Sequence, residues 1–175
     1  ETYGRKTVFI PNGISRPVCC QPQEITALYG LGKNDYILFL GRLVPEKGLA
    51  NLVLAFRQVK TDKKLVIAGG SSDSGVFKRE LISLADGDDR ILFTDFVQGR
   101  PLEELYSNAY FYTLPSDLEG MPLSLLEAMS YSNACLVSDI PECTEVVKNH
   151  AVTFQKGNRD DLREKLQMLC DSPET

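Results

Sequence analysis

Two glutamates, Glu119 and Glu127, stand eight residues apart in the stretch SDLEGMPLSLLEAMS, residues 116–130. Glu127 is the one charged residue between Gly120 and Ser138. An unpaired buried carboxylate is costly, so Glu127 must meet hydrogen-bond donors or reach a cleft. A carboxylate can accept two hydrogen bonds at once, which suits vicinal sugar hydroxyls. It equally suits a structural cation or a backbone turn, and on chemistry alone these readings stand even.

A second group of polar residues lies earlier, in FLGRLVPEKG, residues 39–48. Gly41 lets the chain turn tightly at the end of an apolar run. Arg42 and Lys47 follow, one on each side of Pro45, just before a segment with helical spacing over residues 48–59. Two cations beside the positive end of a helix would attract a phosphate. They also fit ordinary solvated cations, or partners of Glu46 and other carboxylates, and exposed Lys and Arg are common. The loop lacks the G-x-G-x-x-G dinucleotide fingerprint, and no segment supplies the G-x-x-x-x-G-K-[ST] phosphate loop.

Pro122 fits a first helical position, where its missing N–H costs nothing. The helix it opens is predicted to run to about Ser132, with Asn133 as a left-handed stop. The free amides of Gly120, Met121, Leu123 and Ser124 would then face the same crevice as Arg42 and Lys47, an anion site built from backbone.

These loops must be held by a scaffold. Apolar runs rich in β-branched and aromatic residues recur at 8–10, 36–40, 65–68, 91–93, 110–114, 134–137 and 152–154. Several are apolar at consecutive positions, as in strands buried on both faces. Between them fall helical stripes: Leu49, Leu52, Val53 and Phe56; Phe77, Leu81, Leu84 and Ala85; Leu102, Leu105 and Tyr106; Leu123, Leu126 and Met129; Leu162, Leu166 and Leu169. Alternation of strand and helix predicts an α/β, Rossmann-like, doubly wound parallel sheet flanked by helices on both faces. Ligands of such sheets bind at the carboxyl ends of the strands, on the loops into the next helix. Those loops are 41–48, 69–75 and 116–122; the middle one, GGSSDSG, reads most simply as a solvated turn. Residues 1–32 fit the pattern less well and read as a lead-in from something upstream, with the domain proper at 33–175.

Bulk properties set limits. The 175 residues, 43% hydrophobic and 25% charged, suit one globular domain. A net charge of −5 argues against a general nucleic-acid binder, though not against a small anion held by local cations. No apolar run approaches the roughly 20 residues of a membrane-spanning helix. The polar start lacks the form of a signal peptide, and a chain beginning without Met reads as a fragment or processed product. Five cysteines, Cys19, Cys20, Cys135, Cys143 and Cys170, with no C-x-x-C, read as reduced thiols in a cytoplasmic setting. His150, the single histidine, has no partner at ligand spacing and reads as a surface residue.

Taken in order, GRLVPEKG, EGMPLSLLEAMS and SDIPECTEVV resemble the C-terminal domain of retaining GT-B glycosyltransferases, the glycosyl transferases group 1 family. The likeness runs from residue 10 to the last helix. It implies two Rossmann-like domains with the active site between them, the C-terminal one binding a nucleotide-diphosphate sugar donor. Matched residue by residue, Arg42 and Lys47 would hold the diphosphate and Glu127 the ribose hydroxyls. Glu119 and the amides of Gly120, Met121 and Leu123 would face the donor sugar and its phosphate, with Gly41 and Pro122 in the same donor-binding loops. Phe96 and Val97 would lie beside the base. The family transfers sugar with retention and without a bound metal or other cofactor, so cations stabilise the departing nucleoside diphosphate. Glu119 could be a covalent nucleophile, but a positioning role suits it better. The family's usual Gly-x-Pro is here Asn133, Ala134 and Cys135, a departure that Asn tolerates.

The resemblance also implies a partner N-terminal domain and a C-terminal crossing helix, both outside this chain. The acceptor site and a catalytic histidine, which His150 does not match, would lie in that domain. Any peripheral membrane association would run through it too. The isolated chain is therefore expected to transfer little or nothing; the whole enzyme would act in polysaccharide or glycoconjugate synthesis. The alternatives are a catalytically silent nucleotide-sugar-binding module and a plain doubly wound domain such as a signalling receiver. A receiver needs clustered acids at its strand ends, and the first strand here ends in Gly-Arg.

Overall fold

The computed structural model describes residues 8, 12–71 and 75–172. Among these, six strands form a parallel sheet: β1 (Tyr36–Leu40), β2 (Lys64–Ala68), β3 (Ile91–Asp95), β4 (Phe111–Leu114), β5 (Cys135–Ser138) and β6 (Val152–Phe154). Their spatial order is β3-β2-β1-β4-β5-β6. Every residue of β4 and β5, and all but the last of β1, is buried, because helices cover both faces. That is why these strands read as unbroken apolar runs.

The helices are α1 (Glu24–Tyr29), α2 (Leu49–Phe56), α3 (Val76–Ala85), α4 (Arg100–Asn108), α5 (Leu123–Ser130), α6 (Pro141–Val147) and α7 (Arg159–Asp171). From β1 the chain steps outward through β2 to β3, then returns past β1 to β4, β5 and β6. Right-handed crossovers place helices of the outward and return paths on opposite faces. Accordingly α2 packs against α3 and α7, while α4 packs against α1 and meets α5 through Tyr106. The order reverses between β1 and β4, and such sheets bind ligands at this switch point, outside the carboxyl ends of the strands.

The structure departs from the sequence reading in several places. Residues 24–32 belong to the packed body rather than to a lead-in. Ile25 and Leu31 are fully buried, and the buried Glu104 of α4 accepts hydrogen bonds from the Gln23 amide at 2.9 Å and the Ile25 amide at 3.1 Å. Residues 12–22 form neither helix nor strand. The expected strand at 8–10 lies largely outside the described residues. Helix α6, absent from the apolar stripes, begins at Pro141 and runs for seven residues.

Helix α5 also begins and ends differently. Pro122 is its N-cap, with ψ at 79°, rather than its first helical residue. The left-handed stop is Ser132, at φ 64°, not Asn133. Ser132 donates its amide to Met129 and Asn133 donates its own to Ala128, the paired bonds of a Schellman ending in which Asn133 is one place too late. The Asn133 side chain serves elsewhere, donating to the Tyr106 carbonyl at 2.9 Å and the Ala128 carbonyl at 3.2 Å. His150 is exposed, and among the described residues no helix is long and apolar enough to cross a membrane.

Candidate functional site

Two glycines bring three loops together at the carboxyl edge of the sheet. Gly48 has φ 66°, and a Cβ there would lie 2.0 Å from the Pro115 carbonyl oxygen. The loop after β1 therefore abuts the loop after β4. Gly69 has φ 147°, and a Cβ there would lie 1.8 Å from the Gly41 carbonyl oxygen, which fixes the loop after β2 against the loop after β1. Further backbone bonds join the same loops: Leu43 donates to Gly70 at 3.0 Å and Asp117 donates to Glu46 at 2.8 Å.

On this frame Lys47, in a 3₁₀ turn (Pro45–Lys47), meets Glu119 across the switch point. Lys47 Nζ is 2.6 Å from Glu119 Oε1, and the side chains are 16% and 6% exposed. Ser116 Oγ donates to the same oxygen at 2.6 Å, and Ser138 Oγ, buried beneath, donates to the Ser116 carbonyl. The pair is thus largely withdrawn from water, unlike an exposed surface pair of small worth. Glu119 Oε2 has no protein partner among the described residues.

Arg42 lies in the same loop after β1, on the side of β2 and β3. It is exposed and has no ion-pair partner among the described residues. Neither it nor Lys47 pairs with Glu46, the structural partner considered from sequence. Arg42 lines a cavity of about 230 Å³ together with Gly41, Gly69, Gly70, Phe96 and Val97. Phe96, also on its lining, leaves 72% of its surface exposed, and among the described residues Arg42 is the one charged residue of this otherwise apolar and glycine lining. Part of the second loop, residues 72–74, lies outside the described residues. A larger cavity of about 540 Å³ opens at the opposite, amino ends of the strands, beside Lys33, Tyr110 and Ser132. None of the candidate residues lines it, and doubly wound sheets bind ligands at the other end.

The amides of Gly120, Met121 and Ser124 have no backbone partner among the described residues, so they are available to an anion. The Leu123 amide differs from expectation. It donates to the Met121 carbonyl at 2.9 Å, because the Pro122 conformation folds the chain back before the helix starts. Leu123 itself is 45% exposed, as is the neighbouring Leu118 at 63%.

Glu127, on the second turn of α5, is half-buried and faces α4. Tyr106 donates its hydroxyl to Glu127 Oε2 at 2.8 Å. This resolves how one carboxylate sits in an apolar segment. Tyr106 carried no sequence signal beyond a place in an apolar stripe. Tyr112 was hidden in the same way; its hydroxyl donates to Ser124 Oγ at 2.8 Å and anchors the start of α5 to β4. Among the described residues no group of three or more His, Cys, Asp or Glu is placed to hold a metal.

The fold and loops define a Rossmann-like α/β domain with the Lys47–Glu119 pair at its switch point and an Arg42-lined cavity at the carboxyl ends of β1, β2 and β3, and comparison with known proteins specifies it further. Residues 24–175 match the family described as Glycosyl transferases group 1, and the chain belongs to that family. A glycosyltransferase of Methanocaldococcus jannaschii is 33% identical over 132 residues, covering 73% of this chain and 34% of that protein. The O-antigen chain mannosyltransferase RfbU of Salmonella typhimurium is 29% identical over 142 residues, covering 81% and 40%. The Anabaena protein HepE, solved in complex with UDP and glucose, superimposes with a TM-score of 0.76 at 17% identity, over 85% of this chain and 42% of that one, a likeness of fold. The chain spans less than half the length of these relatives.

Proposed function

We propose that this chain is the donor-binding half of a retaining glycosyltransferase. The whole enzyme moves a sugar from a nucleotide-diphosphate sugar to an acceptor, in the synthesis of a polysaccharide or glycoconjugate. The observation that carries this reading is the Lys47–Glu119 contact across the switch point, beside the pocket of Arg42 and Phe96.

The chemistry follows from the geometry. As the sugar–phosphate bond breaks, negative charge grows on the nucleoside diphosphate. Arg42, Lys47 and the amides of Gly120, Met121 and Ser124 stabilise that charge, in a site already organised to receive it. Lys47 has three N–H donors, so its bond to Glu119 leaves others for phosphate oxygens. Glu119 Oε1 is already engaged by Lys47 and Ser116, which supports holding sugar hydroxyls through Oε2 over nucleophilic attack. Glu127 takes the ribose hydroxyls. Phe96 and Val97 flank the base. Gly41 and Pro122 shape the loops, and Leu123 contributes its exposed side chain instead of an amide.

The relatives' extra length accommodates a second domain carrying the acceptor site, and any membrane association belongs there. The described cysteines are free, which supports a reducing, cytoplasmic setting.

Thermal-shift screening of the full-length protein against UDP-, GDP- and ADP-sugars tests the assignment. One base should raise the melting temperature in a concentration-dependent way. Failure of every nucleotide sugar to do so would sink the reading.

A further inference from the structure

The site contains a second layer that the family-level reading does not assign. Tyr106 is 2% exposed, and its ring stacks on Tyr131 at 5.3 Å between centroids, tilted by 15°, with Tyr112 at 6.3 Å on another side. Asn133 holds its carbonyl. So the ring has little freedom, and its hydroxyl is delivered to one place. The hydroxyl has a single proton and two acceptors nearby, Glu127 Oε2 at 2.8 Å and the Ser124 carbonyl at 3.3 Å. The shorter bond, to a charged oxygen, is the stronger. Glu127 Oε1 has no protein partner among the described residues. Ser130, the other nearby hydroxyl, donates to the Glu127 carbonyl and not to its carboxylate.

We infer that Tyr106 is a positioning residue for ribose recognition: by fixing Glu127 Oε2 against α4, it presents Oε1 to the ribose hydroxyls. A glutamate on a helix otherwise samples several rotamers, and each must be frozen when a ligand binds. Tethering one oxygen removes that cost before the ligand arrives, which is preorganisation of the site. Burial, with Tyr112 and Glu127 adding to it, pushes the Tyr106 phenol well above its ordinary range, so it remains a proton donor wherever the enzyme works. The inference rests on the reading of Glu127 as the ribose ligand.

The test uses the full-length enzyme, the nucleoside diphosphate that stabilises it, and the 2′-deoxy counterpart. The affinity ratio of the two is measured by calorimetry for wild type, Glu127→Gln, Tyr106→Phe and Tyr112→Phe. Glu127→Gln should bring the ratio close to one. Tyr106→Phe should lower it by about tenfold, the worth of a hydrogen bond to a charged group, and raise donor KM with little change in kcat. Tyr112→Phe, which removes a buried hydroxyl from the same region, should leave the ratio unchanged. An unaltered ratio in Glu127→Gln overturns the ribose assignment and the inference with it. A collapsed ratio in Glu127→Gln with a wild-type ratio in Tyr106→Phe overturns the inference alone. Equal losses in Tyr106→Phe and Tyr112→Phe would mean general loosening and also overturn it.

Discussion

Lys47 Nζ lies 2.6 Å from Glu119 Oε1, joining the loop after β1 to the loop after β4 across 72 positions of sequence. These loops leave the two strands between which the sheet reverses its order. Their contact is thus a consequence of topology, and it makes Lys47 a lock between the two loops. Lys47→Ala in the full-length enzyme should lower turnover by roughly 10²–10³-fold, as for other lost charge-stabilising donors. It should also destabilise the fold by about 1–3 kcal/mol, because Glu119 keeps Ser116 as its remaining partner. Unchanged turnover would remove Lys47 from the chemistry.

Gly48 and Gly69 should not tolerate a side chain. Each holds a positive φ, and each faces a carbonyl oxygen at less than van der Waals distance from a Cβ. Gly48→Ala and Gly69→Ala should each cost at least about 1–3 kcal/mol. Both should also weaken nucleotide binding by shifting the loops. Denaturant unfolding and calorimetry check the two effects, and wild-type behaviour in both would contradict the described loop packing.

Alkaline pH should destabilise the domain. Burial pushes the Cys135 and Cys143 thiols from 9.0 up to about 12, and buried Tyr36, Tyr106 and Tyr112 are shifted upward as well. Above pH 9 the unfolded thiols lose protons that the folded ones retain, so unfolding is favoured as pH rises from about 9 towards 12. Melting temperatures in reducing buffer should fall over that window, and Cys143→Ala should flatten part of the slope. A level profile from pH 8 to 11 would contradict the burial of these groups.

Glu104 should govern the acid side for α1. Burial alone would raise its pKa, but the Gln23 and Ile25 amides and the Arg100 guanidinium outweigh it and hold the carboxyl below its ordinary value of 4.5. Its contribution is therefore present above that value and lost as pH falls through the lower folded one. Glu104→Gln should speed hydrogen exchange at the Gln23 and Ile25 amides at neutral pH. Unaltered exchange would mean that α1 is held by Ile25 and Leu31 packing instead.

Much of this was legible in the sequence. Runs such as 36–40 announced buried parallel strands, and Gly41, Gly48 and Gly120 marked the loops. The strand order was not legible, because it depends on which runs pair, and with it went the Lys47–Glu119 contact. Helices α1 and α6 are too short, at six and seven residues, for an apolar stripe to declare itself. Asn133 misled because its usual left-handed preference gave way to a side-chain bond with Tyr106. Tyr106 was hidden for a different reason. The apolar spacing of a helix says that a tyrosine faces inward, but not what its hydroxyl will meet.

The most direct measurement is calorimetric titration of the full-length protein, wild type and Arg42→Ala, with a nucleoside diphosphate and with its bare nucleoside. The account predicts that Arg42→Ala weakens the diphosphate by about tenfold or more while both proteins bind the bare nucleoside alike. Equal affinity of wild type and Arg42→Ala for the diphosphate would contradict a phosphate site in this crevice.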